Sequence, residues 1–192
     1  ALFGSFPTQE AVNILEENGV RCFIDLTNSG EAKIIPYTTK YKYIKYPIED
    51  RKIPSDWKSF AQLIIEICKD IRELKDNEKV YIHCKGGHGR SGILVSCILC
   101  YYFDILPNLA LKKTNKYHSD RPLMREKWRK LGSPQGKKQK DFVYRFFRPL
   151  KFHTTEDIGL TLGMNNFSKY EVIIGEEKFP NAHLAFQSYR EK

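Results

Sequence analysis

Hydrophobic residues recur along this chain with two alternating periods, one helical and one extended. The helical period predicts a short helix in TQEAVNILEENGV, which begins after Pro7–Thr8 and stops at Gly19. It predicts a long helix in PSDWKSFAQLIIEICKDIRELKDNEK, with Ser55 as the N-cap. The extended period predicts strands in RCFIDLT, YKYIKYPI and KVYIHC, which are rich in β-branched and aromatic residues. The apolar stripe of the long helix is formed by Trp57, Phe60, Leu63, Ile64, Ile67, Ile71 and Leu74.

The second half of the chain is predicted to be mainly helical. A helix is expected from Ser91 onward, followed by basic helical stretches in LPNLALKKTNKYH, MREKWRKLG and GKKQKDFVYRFF. Strands that alternate with helices predict a layered α/β fold with parallel pairing in at least part of its sheet. The pattern changes near Pro149, so we expect a domain at residues 1–149 and a short C-terminal extension at 150–192.

The net charge and the cysteine content indicate which ligands the protein could bind and in which compartment it is expected. The formal net charge of +9 fits an acidic substrate, nucleic acid or an anionic membrane surface, and equally a merely basic surface. The longest apolar stretch, residues 93–103, is shorter than the roughly 20 residues of a membrane span, so none is expected. Five cysteines without framework spacing favour a reducing intracellular compartment, the cytoplasm or the nucleus. Cys97 and Cys100 lie in the apolar helix, where buried thiols are expected rather than a metal site.

The stretch VYIHCKGGHGRSGILVS combines a strand, a glycine-rich turn and the start of a helix. In such an arrangement the turn amides and the helix dipole converge on an anion, typically a phosphate. Gly86, Gly87 and Gly89 allow close approach of the backbone to that ligand. A Walker nucleotide loop is excluded, because Arg90 replaces its lysine and Cys84 replaces its first glycine.

Cys84 stands where a thiol would attack the bound phosphate. The helix end, the loop amides and Arg90 all favour the thiolate, which is the nucleophilic form. Arg90 follows Cys84 after five residues and is predicted to bind two phosphate oxygens in a bidentate manner. Ser91 is placed to donate a hydrogen bond to the thiolate. The alternative interpretation of Cys84 is a buried structural thiol.

The segment HCKGGHGRSG resembles the H-C-x5-R-[ST] loop of the cysteine-based protein tyrosine and dual-specificity phosphatases. Within that superfamily it is most similar to the branch of the cyclin-dependent kinase-associated phosphatase and the Cdc14-type enzymes. The similarity extends over residues 1–148, through FGSFPT and GVRCFIDLT upstream and PQGKKQKDFV downstream. It implies a three-layer α/β fold with a mixed sheet flanked by helices, and catalysis without a metal or a cofactor.

The resemblance also implies a general acid on a separate loop, which protonates the leaving oxygen. In YPIEDRKIP the family pattern places this acid at Asp50, with Glu49 as the alternative. A solvated turn carboxylate is the competing interpretation. Downstream, Gln135 and Gln139 correspond to the C-terminal helix of the family, where a glutamine helps to place the hydrolytic water. We therefore include Gln139 among the predicted binding residues.

Two charged or polar side chains of the loop, Lys85 and His88, are expected at the rim. There they would favour a doubly anionic or multiply phosphorylated substrate, or would simply be solvated. His83 is expected to orient the loop by hydrogen bonding rather than to act as a base. A metal site of His83, Cys84 and His88 would lack a fourth ligand.

The C-terminal tail resembles a second family. LGMNNFSKYEVIIGEEKFPNAHLAFQSYREK is similar to the opening of the NADAR family, which acts on N-glycosides of the ADP-ribose type. The counterparts of two family segments are residues 165–167 and 183–187, but His183 replaces the acidic residue and the remainder of that domain is missing. We assign no activity to this segment.

The sequence thus predicts hydrolysis of phosphomonoesters through a cysteinyl-phosphate intermediate. Phosphotyrosine and phosphoserine or phosphothreonine proteins are the expected partners. An RNA 5′-phosphatase, a phosphoinositide phosphatase and a phosphatase of nucleotide-derived metabolites remain alternatives. A pseudophosphatase that binds phosphate without turnover is the alternative from another class.

Overall fold

The computed structural model of the chain describes residues 1–147 and two short strands, Val172–Ile174 and Glu177–Phe179. The chain divides into two compact units, Ala1–Phe147 and Arg148–Lys192. In the second unit the two short strands pair antiparallel. The predicted domain boundary after residue 149 stays a prediction, and the NADAR-like segments 165–167 and 183–187 lie outside the described residues.

The first unit is built on a four-stranded sheet whose strand order is β1-β4-β2-β3. Its strands are β1 (Leu2–Gly4), β2 (Val20–Asp25), β3 (Lys42–Lys45) and β4 (Lys79–His83). All three pairings are parallel, so the expected mixed sheet is wrong for the described residues. Long connections explain this, because helix α1 (Gln9–Glu17) joins β1 to β2 and helix α2 (Trp57–Glu73) joins β3 to β4.

Helices cover both faces of the sheet, which confirms the predicted three-layer α/β fold. Cys22 and Ile24 of β2 point into the larger core, together with apolar residues of α2 and of α3 (Arg90–Phe103). Phe23 points to the opposite face, where it packs with Val12 of α1. This alternation is the period-2 pattern of the sequence. The remaining helices are α4 (Pro107–Ser119), α5 (Glu126–Leu131) and α6 (Lys137–Phe146).

Capping residues fix where the first two helices begin. Helix α1 begins directly after Pro7–Thr8 as predicted, and Thr8 is its N-cap, since its Oγ1 accepts a hydrogen bond from the amide of Ala11. The predicted cap of α2 is wrong by one residue: Asp56, not Ser55, accepts from the amides of Lys58 and Ser59. Serine and aspartate are both good N-caps, so residue type alone could not separate the neighbours.

The carboxyl ends of three strands lie level with one another. Gly4 and Asp25 are both in register with His83, the last residue of β4. The loops that follow these strands therefore leave the sheet at one edge, where open parallel sheets bind their ligands. A backbone hydrogen bond from Leu26 N to His83 O (2.9 Å) joins the ends of β2 and β4. Another, from Ile48 N to Leu26 O (3.1 Å), adds the segment that follows β3.

Helix length bears on membrane insertion. None of the helices in the described part of the chain is long and apolar enough to cross a bilayer. The most apolar of them, α3, has 14 residues, whereas a span needs about 20.

The position of the α2 cap can be tested by stability. Asp56→Ala removes the acceptor for two amides at the helix start and should lower the free energy of unfolding by about 1 kcal/mol. Ser55→Ala is the matched control and should change it little. Urea unfolding monitored by circular dichroism measures both, and a larger loss for Ser55→Ala would contradict the assignment.

Candidate active site

The loop of residues 84–90 follows β4 and surrounds the buried thiol of Cys84. Two polar groups contact the sulfur: the Gly87 amide donates to Sγ at 3.3 Å, and the Ser91 hydroxyl oxygen lies 3.3 Å from Sγ. Cys84 is only 3% exposed. The structure thus places Ser91 where the sequence predicted a hydrogen-bond donor to the thiolate.

Two glycines of this loop have no room for a side chain. Gly87 has a positive φ of 72°, and a Cβ added there would lie 2.3 Å from the carbonyl carbon of Gly4. A Cβ on Gly89 would lie 2.7 Å from the side-chain nitrogen of Gln139. The glycines therefore let the loop pack between the first strand and α6, as well as leaving its backbone open to an anion.

Arg90 begins α3, and its buried guanidinium lies at the centre of the site. Nη1 donates to the carbonyl oxygens of Ile48 (2.9 Å) and Leu26 (3.3 Å). Glu31 accepts from both terminal nitrogens, at Oε1 from Nη1 and at Oε2 from Nη2 (3.0 Å). A fifth acceptor, Oδ1 of Asp50, lies 2.9 Å from Nη2. The guanidinium plane is therefore held by residues from two loops.

Glu31 is a functional residue that sequence reasoning missed. Burial alone would raise the pKa of its carboxyl, but the hydrogen bonds from Arg90 and from the Asn28 amide outweigh burial and lower it. The same contact acts in reverse on Arg90, whose pKa is raised against the effect of burial. Glu31 lies in an irregular connection 59 residues before Arg90, and no sequence spacing signals their pairing.

The two carboxylates considered for the general acid differ clearly in position. Asp50 contacts Arg90 and lines the cleft above Cys84, with its side chain about half exposed (54%). Glu49 is 75% exposed and lies 3.9 Å from the amine of Lys52. The structure thus brings Asp50, and not the alternative Glu49, to the site.

His88 differs from the expected rim residue. Its ring stacks on Trp128 with centroids 4.7 Å apart, and its Nδ1 lies 2.8 Å from Nε2 of His118. Burial, followed by the nearby charge of Arg121, lowers the pKa of His88 to about 4. His88 is therefore neutral at physiological pH and contributes no positive charge, whereas Lys85 is exposed as expected.

The side chain of His83, the residue before Cys84, contacts Tyr37 and Asp25 instead of the catalytic loop. Its Nε2 lies 2.7 Å from the hydroxyl oxygen of Tyr37, and its Nδ1 lies 3.7 Å from Oδ1 of Asp25. Burial lowers its pKa to about 4, so the ring is neutral near pH 7. The predicted hydrogen bond to the loop is replaced by one to a tyrosine of the β2–β3 connection.

A cleft of about 570 Å³ opens over the thiol, within the size range of small-ligand sites. Both predicted glutamines, Gln135 and Gln139, line it. Gln139 is buried, accepts from the Gly136 amide and donates to the carbonyl oxygen of Lys52 (3.2 Å). It therefore joins α6 to the segment that follows Asp50. No group of three or more metal-ligating side chains occurs among the described residues.

These features define a class of protein. A parallel α/β sheet, a C-x5-R loop between a buried strand and helix, and an arginine held beside the thiol are the parts of a cysteine-based phosphatase domain. A family model described as "Tc-R-P: Polymorphic toxin system, DSP-PTPase phosphatase" matches residues 2–103, just over half of the 192 residues. The chain belongs to this DSP-PTPase phosphatase family, which confirms the resemblance found in its sequence.

Two viral proteins are similar to this chain. The candidate tyrosine phosphatase 197R of Invertebrate iridescent virus 6 is 38% identical over 176 residues, 91% of this chain and 58% of the viral protein. The candidate tyrosine phosphatase 067L of Invertebrate iridescent virus 3 is 36% identical over 149 residues, 77% of this chain and 62% of the viral protein. The chain thus spans about three fifths of the length of these relatives.

Solved structures support the fold. Tk-PTP in its active form superposes with a TM-score of 0.60 at 21% identity and covers 77% of this chain and 91% of its own. Kinase associated phosphatase, with its catalytic cysteine replaced by serine, gives a TM-score of 0.55 at 22% identity, over 72% of this chain and 74% of its own.

The positioning by Glu31 gives a prediction. Glu31→Gln keeps the shape of the side chain but removes the charge that orients Arg90, so binding of inorganic phosphate should weaken about tenfold. Glu49→Gln removes an exposed carboxylate of the neighbouring loop and is the matched control. Isothermal calorimetry measures both dissociation constants; unchanged binding by a folded Glu31→Gln variant would contradict this role.

Proposed function

We propose that this protein hydrolyses phosphomonoesters through a cysteinyl-phosphate intermediate. The observation that supports this most directly is the convergence of three side chains in one cleft: Cys84, Arg90 and Asp50. They supply a nucleophile, a cation for the phosphoryl oxygens and a proton donor, which together are the requirements of the reaction.

The first step transfers the phosphoryl group to sulfur. The Cys84 thiolate attacks phosphorus, the bond to the leaving oxygen breaks, and that oxygen takes the proton of Asp50. Arg90 and the amides of residues 85–90 stabilise the charge on the three equatorial oxygens. In the second step Asp50 accepts a proton from water as the water attacks phosphorus. Cys84 then leaves as a thiolate, to which the Ser91 hydroxyl donates, and inorganic phosphate is released.

Substrate binding requires Arg90 and Asp50 to separate in part. The four terminal hydrogens of Arg90 face five acceptor atoms, of which Asp50 Oδ1 is the most exposed partner. A phosphate oxygen that binds Nη2 takes the place of Asp50 on the guanidinium. The displaced carboxyl is then close to the leaving oxygen, where a general acid is needed.

The charge of the cleft supports a phosphorylated protein as substrate. Arg51, Lys85, Arg90 and Lys127 line it, and Asp50 is the one acidic lining residue in the described part of the chain. Trp128 forms an apolar wall suited to the ring or aliphatic part of a phosphorylated side chain. The names of the viral relatives favour phosphotyrosine, and phosphoserine and phosphothreonine are included in the proposal.

All five cysteines are buried free thiols, which supports the proposed intracellular compartment.

A substrate panel with Cys84→Ser as the blank tests the proposal. The wild-type chain should turn over phosphotyrosine and phosphoserine peptides and retain activity in EDTA. Cys84→Ser should still bind phosphate but show no turnover, because a serine hydroxyl is not ionised at neutral pH. Turnover by Cys84→Ser would exclude the covalent mechanism, and absence of wild-type turnover would identify a pseudophosphatase. A 5′-triphosphorylated RNA, a phosphoinositide or a nucleotide-derived phosphate hydrolysed at least about tenfold better than peptides would replace the proposed substrate.

The role of Asp50 predicts a dependence on the leaving group. Asp50→Ala should lower kcat by roughly 10²–10⁴-fold on phosphoserine peptides, the usual contribution of a positioned proton donor. The loss should be smaller for 4-nitrophenyl phosphate, whose leaving group needs little protonation. Glu49→Ala is the control and should resemble wild type on both substrates. The reverse pattern would move the general acid to Glu49.

A further inference from the structure

His88 of the catalytic loop and His118 of α4 are joined by a hydrogen bond between their rings. Nδ1 of His88 lies 2.8 Å from Nε2 of His118, and the rings meet edge to face with centroids 5.0 Å apart. His118 is fully buried, whereas His88 is partly exposed and stacks on Trp128. The reaction proposed above uses neither imidazole as an acid or a base, so this pair requires another explanation.

The distance between the two rings permits one hydrogen between them. Two N–H groups at this separation would repel, and two lone pairs would form no bond, so one ring donates and the other accepts. Burial, followed by the nearby charge of Arg121, lowers the pKa of both His88 and His118 to about 4. Each ring is therefore neutral near pH 7 and carries a single N–H. Two arrangements are possible: both rings are protonated at Nε2, or both are protonated at Nδ1.

The surroundings of His118 favour the arrangement with both hydrogens on Nε2. Nδ1 of His118 is fully covered and has no hydrogen-bond partner among the described residues. A hydrogen on this atom would be a buried donor without an acceptor, which is rare in proteins. Besides His88, the groups whose charges act on the ring are the cations of Arg121 and Arg129, neither of which can accept a hydrogen bond at its guanidinium. His118 therefore donates from Nε2 to Nδ1 of His88.

The remaining hydrogen of the pair then lies on Nε2 of His88. This nitrogen has no hydrogen-bond partner in the part of the chain that the structure describes, and it lies 3.3 Å from where a Cβ on Gly86 would be. Gly86 and His88 both line the cleft over Cys84 and a neighbouring cleft of about 400 Å³. The ring thus offers an unused N–H at the boundary between the reaction centre and an adjacent cleft.

We propose that His118 is a positioning residue that holds His88 as an Nε2–H donor to a backbone carbonyl oxygen of the phosphorylated peptide. The proposal rests on the function proposed above, since the phosphate of that peptide occupies the loop at Cys84. The loop amides and Arg90 bind the charged phosphoryl oxygens, whereas a neutral imidazole N–H suits a neutral carbonyl acceptor. The stack on Trp128 fixes the plane of the ring, so the donor is oriented before the peptide binds.

The positions of the two hydrogens can be measured directly in the wild-type chain. Long-range proton–nitrogen correlation NMR spectra of the isotope-labelled protein distinguish protonated from unprotonated ring nitrogens. Spectra of His88→Phe and His118→Phe assign the signals to the two rings. Near pH 7 both rings should be protonated at Nε2 and unprotonated at Nδ1. Protonation of either ring at Nδ1 would overturn the proposal.

Binding to Cys84→Ser tests the donor without any need for turnover. In this background His118→Phe removes the bond to His88 and should weaken binding of a phosphotyrosine peptide about three- to tenfold, as for one neutral hydrogen bond. Binding of inorganic phosphate, which has no carbonyl group, should change by less than about twofold. His118→Gln can still donate from its amide nitrogen and should restore peptide binding. Equal weakening for peptide and phosphate would assign His118 to the structure of the loop and overturn the proposal.

A second buried polar residue of α4 provides the matched control. Thr114 is fully buried like His118, but it accepts a hydrogen bond from Ser96 and does not contact the catalytic loop. Thr114→Val should therefore keep the peptide affinity of the Cys84→Ser protein. A folded His118→Phe variant with the same peptide affinity as Thr114→Val would contradict the role of His118.

A comparison at His88 decides the question if His118→Phe does not fold. His88→Gln keeps a donor near the position of Nε2, whereas His88→Phe keeps a ring that can stack on Trp128 but has no donor. In the Cys84→Ser background, His88→Gln should bind the phosphotyrosine peptide about three- to tenfold more tightly than His88→Phe. Equal affinities of the two variants would overturn the proposal.

Turnover separates this proposal from the one on which it depends. With Cys84 present, His118→Phe should raise KM for the phosphotyrosine peptide and leave kcat within about twofold, because the donor binds a part of the substrate that does not react. A wild-type chain that hydrolyses no substrate, but whose peptide affinity depends on His118 in the Cys84→Ser background, would disprove the phosphatase function alone. Loss of kcat on both the peptide and 4-nitrophenyl phosphate in His118→Phe would instead overturn the positioning role.

Discussion

The ion pair of Arg90 with Glu31 is the interaction on which the geometry of the site depends. The Arg90 guanidinium donates hydrogen bonds to backbone carbonyl oxygens in the loops after β2 and β3, and to one carboxylate in each of these loops. Because Arg90 also begins α3, it connects these loops to the helix whose amino end lies at the catalytic loop. An arginine held in this way loses little further conformational entropy when it binds an oxyanion, which is the advantage of preorganisation.

The parallel sheet makes this convergence possible. Strands that run in the same direction end at the same edge, and the level register of Gly4, Asp25 and His83 places three loops within reach of one another. The expected mixed sheet would have sent at least one connection to the opposite edge. The catalytic loop with Cys84 and Arg90 and the carboxylate of Asp50 therefore meet because of topology, since no local sequence signal joins Asp50 to that loop.

Local patterns in the sequence predicted much of this structure, and their failures have physical causes. The long apolar stripe and the H-C-x5-R motif fixed α2, the catalytic loop and Arg90, because each is specified by residues close together in the chain. Glu31 escaped prediction because its partner is distant in sequence and its loop has no regular pattern. His88 was expected at the rim, but its ring stacks on Trp128, and burial lowers its pKa to about 4. The N-cap of α2 was assigned to Ser55 instead of Asp56, because serine and aspartate are both good N-caps and residue type alone does not separate two neighbours.

The contact between Gly87 and Gly4 has a consequence for the portability of the loop. A Cβ on Gly87 would collide with the backbone of Gly4, and a Cβ on Gly4 would lie 2.3 Å from the hydroxyl oxygen of Tyr81. The Phe6 amide also donates to the carbonyl oxygen of Lys85 (3.2 Å). The catalytic loop and the end of the first strand therefore depend on each other and would have to be transferred together. Grafted onto another parallel sheet, the motif would require a neighbouring edge strand that ends in glycine, which limits the scaffolds able to accept it.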